Sequence, residues 1–138
     1  MTDTYNTIII GAGCAGLSAG RFLNNHTLLL DKRKHIGRPV QCGEGISIDA
    51  IEREKISMDP EFVACRIRQI KRIMPNGKHI GQKHENPYAL VLKKAAFERH
   101  LADLVPWEIK LNQTVVNIEI EKGRFCVYTD KKNCYRST

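Results

Sequence analysis

The chain of 138 residues lacks an apolar stretch long enough to cross a bilayer as a helix, which takes about 18 or more consecutive apolar residues. Its first residues, Met1 to Thr4, also lack the charged and apolar regions of a secretory signal peptide. We therefore expect a cytoplasmic protein whose only membrane contact, if it has one, is peripheral.

Paired cysteines and metal-binding patterns are also missing. The five cysteines are odd in number and scattered, and no two form a Cys-x-x-Cys pair, a pattern typical of reduced thiols in a cytosolic protein. The five histidines show no ligand-like spacing, so no metal site is expected. Neither a Walker sequence nor a Gly-x-Ser-x-Gly motif occurs, which argues against a P-loop nucleotide hydrolase and a serine hydrolase.

Acidic and aromatic residues are few. Lys and Arg number 22 against 15 Asp and Glu, giving a net charge of +7, and aromatics make up 7% of the chain. This balance suits acidic ligands, nucleic acid or an anionic membrane surface without selecting among them. The cations between residues 66 and 72 do not share one strand face and have no interleaved aromatics. We therefore expect a solvated edge there and no nucleic-acid site.

The most informative stretch is a glycine motif between two apolar runs. Ile8 to Ile10 are followed by Gly11-x-Gly13-x-x-Gly16 and a helix-like segment, and a second apolar run ends at Asp31. Strand, glycine turn, helix and strand in this order are typical of a βαβ dinucleotide-binding unit. The first strand is expected to be buried on both faces, as the central strands of parallel sheets are.

The spacing of the motif gives each residue a physical role. Gly11 permits a sharp turn, and Gly13 lets the backbone approach a pyrophosphate whose charge meets the helix N-terminus. Gly16 allows the helix to pack closely on the sheet. Asp31, twenty residues after Gly11, would accept hydrogen bonds from an adenosine ribose.

Two loops follow the second predicted strand. The first, over residues 32–39, contains four cations, and Arg38 is the one that we expect to help neutralise a pyrophosphate unless the whole turn is simply solvated. The second, over residues 40–47, contains two glycines around a carboxylate, which indicates a backbone pressed against a ligand such as a flat ring. Ser47 is predicted to cap a helix over residues 48–55.

The rest of the sequence is predicted to form a hairpin, then a strand and a helix, and finally a meander. Pro75-Asn76-Gly77 marks the hairpin turn. Residues 88–92 form a predicted strand, residues 93–105 a predicted helix and residues 109–111 a further strand, and an antiparallel meander is expected from Thr114. The fold class is therefore α/β: a Rossmann-like FAD/NAD(P)-binding domain with a parallel sheet, a glycine-rich βαβ unit and an antiparallel β-meander.

Three stretches of the chain resemble a known family. They are Gly11-Ala12-Gly13-x-Ala15-Gly16-Leu17-Ser18-Ala19, Leu29-Leu30-Asp31-Lys32, and Ile36-Gly37-x-Pro39-Val40-x-Cys42-Gly43-Glu44-Gly45-Ile46-Ser47. Together they are similar to the N-terminal part of the geranylgeranyl reductase family of flavoproteins, within the p-hydroxybenzoate hydroxylase-like group. The Cys-Gly-Glu-Gly-Ile-Ser stretch is the specific part, because the glycine motif alone fits many flavoproteins.

The resemblance implies FAD as cofactor and hydride transfer from the reduced flavin to an isolated double bond of an isoprenoid lipid. The electron donor would be a ferredoxin or NAD(P)H. Lys94 stands where the family has an arginine, which keeps the charge but loses the bidentate fork. Cys42 and Glu44 would lie nearest the flavin, either as catalytic candidates or as structural residues of a tight loop. The implied cofactor-binding residues are Gly11, Gly13, Ala15, Gly16, Asp31, Lys32, Arg38, Cys42, Gly43, Gly45, Lys94 and Val115.

The resemblance covers the whole chain but only about the first third of a family member. Residues 1–138 are thus interpreted as the N-terminal portion of an FAD-binding domain, without the later Gly-Asp motif and the substrate domain. Two other interpretations stay open: a non-catalytic module that binds NAD or FAD, and a basic protein that binds nucleic acid or a membrane surface through its charge.

Overall fold

The computed structural model describes residues 4–137, which form two compact units. The first unit comprises the residues up to Pro39 and those from Glu98 onward, and the second comprises Val40–Phe97. Within residues 4–137 no helix combines the length and apolar character needed to span a membrane. The elements, in chain order, are β1 (Thr4–Tyr5), β2 (Thr7–Ile10), α1 (Cys14–Phe22), β3 (Thr27–Leu30), β4 (Gly45–Ser47), α2 (Ile48–Arg53), β5 (Val63–Ile67), β6 (Gln69–Ile73), β7 (His79–Lys83), β8 (Ala89–Leu92), α3 (Lys94–Asp103), β9 (Glu108–Lys110), β10 (Val115–Glu121), β11 (Arg124–Thr129) and β12 (Cys134–Ser137).

A parallel three-stranded sheet in the order β2-β3-β9 contains the predicted βαβ unit. All four residues of the central strand β3 are buried. The expectation that the first strand is buried on both faces is wrong, because none of its residues is fully buried and Ile10 is 50% exposed. The reason is that β2 is an edge strand of this sheet, hydrogen-bonded within it to β3 alone.

The residues of β3 alternate between two packing partners. Leu29 faces α1, where its side-chain methyls approach Gly20. Leu28 and Leu30 face the other way, into a core cluster with Val127 of the meander. The parallel sheet is thus covered by α1 on one face and by the meander on the other, as the period-two pattern of a strand requires.

The predicted antiparallel meander is confirmed and is one strand larger than expected. Strands β10, β11 and β12 pair antiparallel, and β1 joins them through a parallel pairing with β12 that gives the order β1-β12-β11-β10. The β10–β11 turn places Lys122 at φ 51° and Gly123 at φ 80°, the left-handed pair that matches the twist of a hairpin. Strand β1 was not predicted, because two residues carry no periodic signal.

The second unit holds a sheet in the order β4-β8-β5, the hairpin β6–β7 and helix α2. Phe62 and Phe97 form an edge-to-face pair at 5.2 Å between ring centroids in its core. The hairpin turn at Asn76 and Gly77 is confirmed, with Gly77 at φ 79°. Ser47 caps α2 as predicted, its Oγ accepting from the Ala50 N–H at 3.2 Å.

The predicted loop over residues 40–47 is shorter in the structure. Its last three residues form β4, in which Ile46 pairs with Leu90 of β8. Two glycines in eight residues favoured a loop, but pairing with the apolar strand β8 outweighs that local preference.

Candidate functional site

The glycine turn between β2 and α1 leaves the N-terminus of the helix without a side-chain hydrogen bond at its cap. Gly11 adopts φ 105°, which glycine tolerates and other residues rarely adopt. Gly13 is the N-cap and supplies no side-chain acceptor, and the first turn contains no acidic residue. The first N–H groups of a helix have no acceptor within it, so this end can receive an anionic ligand.

There is room for such a ligand beside the turn. A Cβ built on Gly11 would meet no atom within 4 Å, and one built on Gly13 would come no closer than 3.9 Å, to side-chain atoms of Arg33 and Glu98. Gly16 differs, because its Cβ would lie 1.8 Å from the carbonyl oxygen of Gly11. Gly11 and Gly13 therefore leave space for a pyrophosphate, whereas Gly16 serves the contact of helix and turn.

Asp31 follows β3 and is directed at the glycine turn. Its Oδ2 accepts a hydrogen bond from the Ala12 N–H at 2.7 Å, and its Oδ1 accepts from the Arg33 N–H at 2.7 Å. The Arg33 side chain adds two further hydrogen bonds, Nε to Oδ1 at 3.0 Å and Nη2 to Oδ2 at 2.9 Å. The carboxylate therefore lies where the sequence predicts it, but the donors around it are protein groups. Its role at a ribose stays a prediction.

The hydrogen bonds fix the charge of Asp31. Burial alone would raise the pKa of the carboxyl group, but hydrogen bonds from the Arg33 side chain and from the Arg33 and Ala12 N–H groups outweigh it and lower the pKa below its usual value. The hydrogen bond to Asp31 in turn raises the pKa of Arg33. Asp31 is therefore an anion and Arg33 a cation at neutral pH.

Two charged residues of this site, Arg33 and Glu98, were not predicted. Glu98 of α3 is 1% exposed, and its Oε2 accepts from Arg33 Nη1 at 3.0 Å. A periodic signal for Glu98 exists, because it precedes the buried Leu101 by three residues and so shares its helix face. A buried carboxylate needs a cationic partner, but the sequence does not indicate which cation, 65 residues away, supplies it.

The other predicted residues of the first unit are placed around this turn in different ways. Ala15 lies in the first turn of α1 and is exposed. Lys32 and Arg38 are exposed, and Arg33 between them makes the ion pairs to Asp31 and Glu98. Val115 opens β10 and packs against the core of the unit. The structure thus brings Asp31 to the glycine turn and leaves Lys32 and Arg38 as cations exposed to solvent.

The remaining predicted residues belong to the second unit. Cys42, Gly43 and Gly45 are exposed, as a backbone that contacts a ligand would be. Glu44 adopts φ 57°, and its Oε1 accepts from the Lys94 N–H at 2.9 Å. Glu44 therefore caps the N-terminus of α3, where a carboxylate is favourable.

A polar cleft of about 670 Å³ lies in the first unit and involves none of the predicted residues. It is lined by Glu121, Lys122, Arg124 and Arg136 at the β10–β11 turn. Glu121 accepts from the Tyr128 hydroxyl at 2.9 Å and pairs with Arg136 at 3.5 Å. The cleft is thus lined by charged groups that partly satisfy one another, and no cluster of metal-ligating residues occurs anywhere in residues 4–137.

The parallel sheet, glycine turn and acid after β3 together define a Rossmann-like α/β domain of the kind found in FAD-dependent oxidoreductases. No protein-family model matches the chain. Among curated proteins, it is 33% identical to a digeranylgeranylglycerophospholipid reductase of Thermoplasma volcanium over 109 residues, which covers 74% of this chain and 28% of the relative. It is 28% identical to the same enzyme of Methanocella arvoryzae over 142 residues, covering 96% of this chain and 36% of the relative.

Comparison with solved structures finds the same kind of protein. A geranylgeranyl bacteriochlorophyll reductase-like protein of Thermoplasma acidophilum matches with a TM-score of 0.88 and 26% identity, over 99% of this chain and 38% of that protein. A halogenase in complex with phloroglucinol and FAD shares the fold, with a TM-score of 0.75 and 16% identity over 96% of this chain and 33% of the halogenase. The chain is similar to proteins of the geranylgeranyl reductase family, and it spans about a third of the length of the relatives it matches.

Proposed function

We propose that this chain forms part of the FAD site of a flavin-dependent reductase. The observation that carries the proposal is the uncapped N-terminus of α1 beside the open glycine turn, with the anionic Asp31 hydrogen-bonded to the same turn. This arrangement offers a place for two phosphates and a neighbouring acceptor for a sugar hydroxyl. FAD in the halogenase structure and the reductase names of the relatives support the choice of cofactor.

The roles of the chain's own residues follow from their places. The backbone at Gly11, Gly13 and Ala15 would receive the pyrophosphate, with Lys32 and Arg38 as additional positive charge, and Asp31 would hold the ribose. Val115 would contact the adenine side. Cys42, Gly43, Gly45 and Lys94 are further proposed cofactor contacts, as the family resemblance implies. When bound, the flavin would supply the hydride chemistry, and the protein would bind and orient it.

The substrate proposed for the whole protein is an isoprenoid lipid, reduced at an isolated double bond. The support is the relatives' names, which specify digeranylgeranylglycerophospholipid reduction. We further propose a ferredoxin or NAD(P)H as electron donor and a cytoplasmic location. The free thiols of all five cysteines support a reducing compartment.

The test is FAD binding by the purified chain, measured by flavin fluorescence, with a matched pair of glycine variants. The Cβ introduced by Gly13→Ala would have its nearest neighbours at 3.9 Å, and so would the Cβ of Gly81→Ala in the β6–β7 hairpin. Both variants should fold, but only Gly13→Ala places a methyl group where the backbone must approach the pyrophosphate. We expect at least a tenfold loss of FAD affinity for Gly13→Ala, about 1.4 kcal/mol, and none for Gly81→Ala.

Equal FAD binding by both variants would contradict the proposed site. NAD offers the same unphosphorylated adenosine ribose to Asp31, so competition between NAD and FAD decides between the flavin site and a non-catalytic NAD module. Stronger binding of NAD than of FAD would favour the NAD module.

A further inference from the structure

Arg33 links three parts of the first unit through its guanidinium group. Nε and Nη2 bind the carboxylate of Asp31 at the end of β3, and Nη2 also donates to the Ala12 carbonyl oxygen in the glycine turn at 2.8 Å. Nη1 donates to Glu98 of α3 at 3.0 Å. One planar side chain therefore fixes the distances between strand end, turn and helix.

The acceptor capacity of Asp31 is fully used by this arrangement. A carboxylate offers about four lone-pair positions, and Asp31 accepts four hydrogen bonds, three from Arg33 and one from the Ala12 N–H. A ribose hydroxyl could therefore enter only in exchange for one of these donors. The Nη2 group of Arg33 is suited to such an exchange, because it keeps the Ala12 carbonyl oxygen as a second acceptor.

Glu98 gives Arg33 a partner that does not depend on the ligand. Its side chain is 1% exposed, and its other oxygen accepts from the Cys14 thiol at 3.4 Å at the start of α1. A carboxylate buried this deeply keeps its charge only beside a cation. Glu98 would therefore hold the guanidinium at the turn while Asp31 exchanges a donor.

We propose that Arg33 is a positioning residue of the nucleotide site, which holds the Asp31 carboxylate against the glycine turn before a ligand arrives. On binding, a ribose hydroxyl replaces Nη2 at Asp31 Oδ2, while Arg33 stays anchored by Glu98 and the Ala12 carbonyl oxygen. The exchange with ribose rests on the proposed function; the organisation of the turn does not. Lysine at this position would keep the charge, but it lacks the planar guanidinium whose spread N–H groups reach Asp31, Glu98 and the Ala12 carbonyl oxygen together.

Two measurements on the ligand-free chain test the organisation of the turn. In Arg33→Met, burial of Asp31 is opposed only by the backbone N–H groups of Arg33 and Ala12, so the NMR titration midpoint of its carboxyl carbon should rise relative to the parent chain. Titratable groups around the cluster are Glu98 on α3 and Cys14 on α1, and residue-specific carbon labelling separates their signals. The Ala12 amide should exchange with solvent at least ten times faster. Lys34→Met removes one exposed cation from the same loop and should change neither quantity.

Binding of ADP and FAD tests the link to the site. We expect at least a tenfold loss of affinity for Arg33→Met, with partial recovery in Arg33→Lys and no change in Lys34→Met. An unchanged Asp31 midpoint and unchanged Ala12 exchange in Arg33→Met would overturn the proposal whatever the ligand results. If those quantities change as expected but the unaltered chain binds neither ADP nor FAD, the proposed function fails and the organisation of the turn stands. If the unaltered chain binds both and Arg33→Met binds them equally well, the positioning role at the site is refuted.

Discussion

Gly16 and Gly20 lie one turn apart on α1, and replacing each by alanine should have very different effects on stability. The Cβ of Gly16→Ala would stand 1.8 Å from the Gly11 carbonyl oxygen and 3.0 Å from its carbonyl carbon. The Cβ of Gly20→Ala would meet only side-chain methyl groups, those of Leu29 at 3.2 and 3.3 Å and that of Ile9 at 3.6 Å. A backbone atom in a tight turn cannot move aside as a leucine methyl can.

The expected magnitude for Gly16→Ala follows from the overlap. Even a contact of 3.0 Å requires the helix and the turn to separate by about 1.2 Å, the difference between 3.0 and the 1.8 Å found. Overpacking of this kind costs about 3 kcal/mol or more, a large part of a typical stability of about 5–15 kcal/mol. For Gly20→Ala the small rearrangement of Leu29 is offset by the gain of about 0.5–1 kcal/mol for alanine over glycine within a helix.

Thermal and urea unfolding of both variants measure this difference. Gly16→Ala should lower the Tm by roughly 10 °C, whereas Gly20→Ala should stay within about 3 °C of the parent chain. A Gly16→Ala protein as stable as the parent would refute the close contact between α1 and the glycine turn. Equal destabilisation by both substitutions would show that the helix tolerates no added methyl group and would refute the distinction between backbone and side-chain neighbours.

Three further predictions concern the cap, the core and the acid. Ser47→Ala removes the hydrogen bond to the Ala50 N–H and should lower the free energy of unfolding by about 1 kcal/mol in urea titrations, whereas an unchanged midpoint would contradict the cap. Leu30→Ala leaves a cavity at a fully buried position in the core of the first unit and should lower the free energy of unfolding by about 2–5 kcal/mol. A smaller loss would mean that the surrounding side chains close the cavity. The pKa of Asp31 is lowered in the fold, so its ionised form stabilises the protein above the unfolded pKa and this stability is lost as the pH falls through the folded pKa. The difference in Tm between the parent and Asp31→Asn should therefore shrink in acid below about pH 4, and a difference that is constant with pH would contradict the shift.

The glycine turn could be predicted because its causes lie within a few residues. The positive φ of Gly11, the uncapped start of α1 and the close contact at Gly16 all follow from residues missing a side chain at fixed spacing. The hairpin at Gly77 was predictable for the same reason, since its turn residues are adjacent in sequence. Patterns of this kind need no knowledge of the rest of the fold.

The charged part of the site could not be predicted in the same way. Several cations follow Asp31, and only the folded chain shows that Arg33, not Lys32 or Arg38, meets the buried Glu98. The same holds for Glu44, whose partner at the start of α3 is 50 residues away. Long-range ion pairs and caps depend on which elements become neighbours in the fold. The type of a side chain alone does not indicate which distant residue it will contact.

Asn6 is the single residue between β1, which belongs to the meander sheet, and β2, which belongs to the parallel sheet. One residue spans at most about 3.6 Å, so the two layers have almost no slack relative to each other at this corner. Asn6 is itself tied down, because its N–H donates to the His26 carbonyl oxygen at 2.8 Å. The far end of β2 leads directly into Gly11, so this one strand connects the glycine turn to the corner from which β1 pairs with β12.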